Sequence, residues 1–282
     1  MPRRRSALAA VAAALALGVL PGAARADDAG SLTAAAGAVQ ATLSWNAAKF
    51  GVANPRLVIA RGGQTLFDAS PVAGSDSCSE GYCSFLASGK RKSALQVVDL
   101  NGDGEPEVVV DAYSGGAHCC ALTEIVAFNG SGYGVTEAYW GNTGYELQDV
   151  DGDGPPELVG FDDAFAAAFS SYAASFFPPR VVKYDPAAKG ALRDVTDRFP
   201  ALIRRNERQA LRTLRKARRQ HYETLGIVAA YVADLYLIGD NDHVRPYLKR
   251  ARRRGDLRTF NGPAPRSFER QLLAFLKKQG YR

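Results

Sequence analysis

Two stretches of this 282-residue chain carry oxygen side chains at every second position. They are Asp99-x-Asn101-x-Asp103-Gly104-x-x-Glu107 and Asp149-x-Asp151-x-Asp153-Gly154-x-x-Glu157. A tight turn points alternate residues inward, and a glycine at the sixth position supplies the backbone angle the turn needs. Carboxylate and amide oxygens gathered at short range suit a hard cation, and Ca2+ takes about six to eight of them. The expected side-chain ligands are Asp99, Asn101, Asp103 and Glu107 in one loop, with a carbonyl from Glu105. The second loop offers Asp149, Asp151, Asp153 and Glu157 in the same roles. An EF-hand would place its bidentate glutamate at position twelve, where these loops have Val110 and Gly160, so neither is an EF-hand. Neighbouring carboxylates repel one another without a cation between them. The expected metal role is structural, two Ca2+ ions each tying two strands together.

The elements that must position these loops read as short strands. Alternation is visible from Val39 to Trp45, and Arg56–Ala60 and Gln64–Phe67 flank a Gly62-Gly63 hairpin signal. Strand-like segments at 95–98, 107–111, 121–128 and 135–139 follow. Gly130 to Gly134 precedes no helix and is expected to be a wide hairpin turn, not a phosphate loop. The two Asp-rich loops stand 50 residues apart, each between strands. Such a period marks propeller blades or related β arrays. Two copies are too few for a closed propeller of about four to eight blades.

On these loops and their flanking strands, over about residues 94–185, the chain resembles the FG-GAP/VCBS group of calcium-loop repeats. The resemblance implies that each loop joins two strands of a blade and holds one Ca2+, with the carbonyls of Glu105 and Pro155 among the ligands. The group's usual last ligand is Asp, whereas both loops here end in Glu. Gly115-Gly116-Ala117-His118-Cys119-Cys120 is also similar to exported bacterial repeat proteins.

Arg3-Arg4-Arg5 precedes an apolar run from Ala7 to Leu20, and Ala24-Arg25-Ala26 offers a small-x-small cleavage site. Residues 1–26 read as a signal peptide cut after Ala26, too short in its apolar run to span a bilayer. The destination is the cell envelope or the extracellular space. Four cysteines, Cys78, Cys83, Cys119 and Cys120, suggest two disulfides in an exported chain, with the pairing open. Residues 27–190 hold 9 Lys+Arg against 20 Asp+Glu, whereas residues 191–282 hold 22 against 9. The overall charge of +6 therefore conceals an acidic half and a basic half. Export disfavours a nucleic-acid reader.

After the second loop the spacing of Phe165, Phe169, Tyr172 and Phe176 predicts one face of a helix, capped by Asp162 or Asp163 and stopped by Pro178-Pro179. Helices are then expected over about 200–221, 224–238, 242–254 and 265–279, the second apolar nearly all round and central. The expected fold is α+β: an antiparallel β domain over 38–190 with two propeller-blade-like calcium-loop repeats, and a basic α-helical bundle over 195–282. Residues 27–37 read as a loose arm. The first helix crowds Arg204, Arg205, Arg208, Arg212, Arg215, Lys216, Arg218 and Arg219 beside an apolar stripe. Its basic face fits an anionic envelope polymer or an acidic protein surface, with no nucleic acid and no transmembrane helix after cleavage. The expected function is a non-catalytic binding or scaffold module. The alternative is an envelope-polymer hydrolase using carboxylates near the loops, Asp111, Asp162 and Asp163. A Cys–His dyad of Cys120 and His118 is the weaker catalytic option.

Overall fold

A computed structural model describes residues 29–49, 51–72, 83–86, 93–115 and 121–282. The leader and Cys78, His118, Cys119 and Cys120 lie outside these residues. So do the pairing of the cysteines and the His118–Cys120 dyad. Cys83 is buried.

Twelve strands form three antiparallel sheets, each with its four strands in chain order. The first holds β1 (Gly30–Ala36), β2 (Val39–Ala48), β3 (Gly51–Arg61) and β4 (Gln64–Ala69). The second holds β5 (Leu95–Val98), β6 (Glu107–Tyr113), β7 (Ala121–Phe128) and β8 (Tyr133–Gly141). The third holds β9 (Tyr145–Gln148), β10 (Glu157–Phe161), β11 (Pro179–Tyr184) and β12 (Leu192–Asp194). Gly62-Gly63 turns β3 into β4 with both φ angles positive, as the strand twist favours. The turn from β7 to β8 is held by Asn129, whose Oδ1 accepts from the backbone of Ser131 and Gly132.

The sheets stack because the middle one is apolar on both faces. Successive strand side chains point to opposite faces. Val108, Val110 and Ala112 join Val39, Ala41, Leu43, Leu57 and Ile59 of the first sheet in one core. Val109, Ile125 and Trp140 join Tyr145, Leu158 and Val182 of the third in another. Val181, on the far face of the third sheet, packs with Val195 and Phe199. No closed barrel or propeller forms among the described residues. The arm expected at 27–37 is instead an edge strand, with Leu32 opposite Leu43. Its alternate side chains are half-buried, which its Ala-rich composition conceals.

Four α-helices follow: α1 (Pro200–Arg219), α2 (Leu225–Leu237), α3 (Val244–Arg253) and α4 (Phe268–Lys278). As expected, α2 is the buried centre, and α1 turns Ile203, Ala210, Leu214 and Ala217 inward. A short hairpin of β13 (Arg258–Thr259) and β14 (Gly262–Pro263) joins α3 to α4.

The helix expected through Phe165–Phe176 does not form. The chain makes two 3-10 turns, Asp163–Phe165 and Tyr172–Ala174, with Ala167 between them at φ 52°. Asp162 does cap the first, accepting from the Ala164 amide at 3.0 Å. The aromatic spacing has another cause: the segment drapes over α2, and Phe165, Phe169 and Phe176 enter the helical core. Gly226 of α2 permits this approach, since a Cβ there would sit 2.4 Å from Ser170 Oγ. The acidic and basic halves thus dock. Asn206 of α1 donates to the Phe177 carbonyl at 3.1 Å, and Tyr281 donates to Asp162 at 2.8 Å.

Asp234 sits fully buried in α2 with Asn206 as its hydrogen-bond donor at 2.9 Å. Burial pushes its carboxyl up to about 8, against the Asn206 hydrogen bond and with help from Glu207. The folded chain therefore holds a proton that the unfolded chain releases near pH 4, so stability falls as pH rises from about 4 to 8. Asp234→Asn removes that loss. Thermal melts are expected to show the variant gaining on the wild type at pH 8 and not at pH 4, by about 2–4 °C per kcal/mol recovered.

Candidate metal centre

The first Asp-rich loop joins β5 to β6, and the second joins β9 to β10. They are the same hairpin in consecutive sheets, and their internal hydrogen bonds repeat. Asp99 accepts from the amides of Gly102 at 2.6 Å and Gly104 at 2.9 Å. Asp149 accepts from Gly152 at 2.7 Å and Gly154 at 3.1 Å. Glu107 accepts from the Leu100 amide at 2.7 Å, and Glu157 from the Val150 amide at 2.8 Å. Each glutamate is buried at the start of its strand, while the aspartates line an open rim. The loops also touch: a Cβ on Gly102 would lie 2.8 Å from the Pro155 ring.

In the second loop the aspartate oxygens converge. Ligand atoms of Asp149, Asp151 and Asp153 lie within 4.8 Å of one another. In the first loop Asn101 Nδ2 donates to Asp103 at 3.0 Å, and the Asp103 amide donates to Asn101 Oδ1 at 3.0 Å. The Glu105 side chain turns away to Arg61 of β3, with contacts of 2.8 and 2.6 Å. Its carboxylate is therefore engaged outside the loop.

The two loops differ in what neutralises them. Lys183 of β11 places its Nζ 2.9 Å from Asp151, 2.7 Å from Asp153 and 2.9 Å from Glu157. Burial opposes the lysine charge, but hydrogen bonds to Asp153, Glu157 and Asp151 outweigh it and raise its proton affinity. The same contact holds Asp151 below its ordinary carboxylate range. Among the described residues the first loop has no such partner. Val126 pairs with Val108 as Val182 pairs with Leu158, so Ala127 stands where Lys183 stands. Among the described residues no ion pair reaches Asp99, Asp103 or Glu107. Glu107 is pushed up to about 7 by burial, opposed by the Leu100 amide and aided by the charges of Asp103 and Asp99.

Sequence reasoning missed Lys183. Only the strand register, 26 residues past Glu157, carries it to the loop. The carboxylates of the hydrolase alternative are each engaged elsewhere. Asp111 is buried and accepts from Thr123 Oγ1 and the Tyr145 hydroxyl, each at 2.9 Å. Asp162 caps its turn and meets Tyr281, and Asp163 accepts from the Asn142 amide at 3.3 Å.

No family model matches the chain. No solved structure matches it either. A probable thylakoid lumen protein of Synechocystis sp. is 35% identical over 154 residues, which is 52% of this chain and 44% of that protein. An uncharacterised protein of Sinorhizobium fredii is 30% identical over 142 residues, 49% of this chain and 22% of that protein. The chain spans less than half the length of both relatives.

Lys183→Met leaves the buried Glu157 carboxylate and two aspartates without their ammonium. The variant is expected to lose about 1–3 kcal/mol in chelator. Added Ca2+ is expected to restore more stability to it than to the wild type, measured as the difference in Tm with and without the ion.

Proposed function

We propose that the protein is an exported, calcium-braced, non-catalytic binding module of the cell envelope or extracellular space. The observation that carries this reading is the duplicated loop, whose oxygens converge within 4.8 Å at Asp149, Asp151 and Asp153. All side-chain donors in both loops are oxygens, which favours a hard cation over zinc or copper. The sets are Asp99, Asn101, Asp103 and Glu107, and Asp149, Asp151, Asp153 and Glu157, each with the carbonyl of residue 105 or 155. The first loop is the stronger site, because in the second an incoming ion must displace the Lys183 ammonium. In this reading the second and third sheets are FG-GAP/VCBS-like blades. Support comes from their four strands in chain order, with the loop always between the first two.

Export rests on the leader at 1–26, and the lumenal name of the Synechocystis relative agrees with it. Two disulfides among Cys78, Cys83, Cys119 and Cys120 suit that compartment. The partner face is the basic helical half, turned toward an anionic envelope component or an acidic protein surface. The hydrolase alternative has no observation in its favour, since Asp111, Asp162 and Asp163 serve separate structural contacts.

The test is a thermal melt of residues 27–282 with Ca2+ and with excess chelator, beside native mass spectrometry. A cation bound only by the native state adds RT ln(1 + [L]/Kd), about 2.7 kcal/mol at a hundredfold excess over Kd. The expected result is bound Ca2+ and a Tm that drops on chelation, with Asp99→Asn/Asp103→Asn losing most of the effect. A metal-free mass and an unchanged melt overturn the reading.

A further inference from the structure

The C-terminal ends of α1 and α3 and the β13–β14 hairpin meet at one corner of the helical half. A cavity of about 460 Å3 there is lined by Arg215, Arg218 and Arg219 from α1, Arg254 after α3, and Arg258 of β13. Helix C-termini favour basic residues through their dipoles, which accounts for arginines on each helix separately. It does not account for five from three elements around one space. Among the described residues the carboxylate that reaches this group is buried Asp256, 2.7 Å from Arg218. Arg258 keeps a buried Nε with no hydrogen-bond partner among the described residues.

A second groove, of about 670 Å3, adjoins the first through His221 and is lined by Tyr222 and Phe260. These two side chains are 64% and 86% exposed, the most exposed large hydrophobics among the described residues. Phe260 sits at the tip of the β13–β14 hairpin, in the two-residue turn between paired Thr259 and Gly262. A projecting aromatic beside converging guanidiniums matches the chemistry of a phospholipid surface. Guanidinium forks bind headgroup phosphates bidentately, while aromatic rings settle at the headgroup–acyl boundary. A soluble polyanion would satisfy the arginines and leave Phe260 in water.

We infer that this corner docks reversibly on a membrane surface carrying anionic phospholipid, Arg215, Arg219 and Arg254 pairing with headgroup phosphates and Phe260 and Tyr222 entering the interface. This deepens, and rests on, the reading of the basic half as the partner face. The experiment is co-sedimentation of residues 27–282, which hold every described element, with phosphatidylcholine vesicles with and without phosphatidylglycerol, and separately with soluble polyglutamate. The expected result is binding that needs phosphatidylglycerol and weakens steeply with salt.

The triple variant Arg215→Glu/Arg219→Glu/Arg254→Glu is expected to lose at least about tenfold in vesicle affinity with an unchanged Tm. Phe260→Ser is expected to lose about fivefold to tenfold, and Phe260→Trp to retain binding. No binding to phosphatidylglycerol vesicles, or equal binding by the triple variant, overturns the inference. Binding to polyglutamate but not to vesicles overturns it while leaving the broader partner reading intact. Binding to neither removes both.

Discussion

The middle sheet, apolar on both faces, is the constraint on which the rest of the molecule depends. From Glu107 to Ala112 every residue of β6 is buried, so both faces of the sheet are covered along that strand. Burial of apolar area is the dominant favourable term in folding, and it is non-directional. Direction comes from the period of two along each strand, which sends Val108 and Val110 one way and Val109 the other. The first and third sheets pack on these faces, and the far face of the third meets the start of α1 through Phe199 and Leu202.

The Asp-rich loops belong to this layering. Each begins its sheet's second strand with a buried glutamate that accepts from an amide of its own loop, Leu100 for Glu107 and Val150 for Glu157. The two copies differ in the partner of that glutamate. In the third sheet the register sets the Lys183 ammonium against Asp151, Asp153 and Glu157. In the second sheet Ala127 holds that register, and among the described residues no ion pair reaches Asp99, Asp103 or Glu107. A duplicated motif has thereby become two chemically distinct sites.

The docking of the two halves rests on aromatic packing and on hydrogen bonds. Phe165, Phe169 and Phe176 bury against the helices, and Asn206, Tyr281 and Asp162 satisfy the polar groups at the seam. Among the described residues no ion pair joins the α1 arginines to the acidic β half. Their charge remains on the surface, concentrated where α1 and α3 end.

Local chemistry was legible in the residues alone. The Gly62-Gly63 turn, the apolar run of α2 and the inward stripe of α1 all depend on neighbours within a few positions, and took the form expected. The α+β class followed from the same periodicities. Three features depended on contacts far along the chain. The Ala-rich segment 30–36 became a strand only because β2 offered it an edge. The aromatic spacing of Phe165 to Phe176 suited a helix, but the close approach to Gly226 made it a draped segment with two short turns. Lys183 reached its three carboxylates through strand register. Turn and helix periodicity are local properties of the backbone, whereas edges, docking surfaces and register exist only once distant segments share a core.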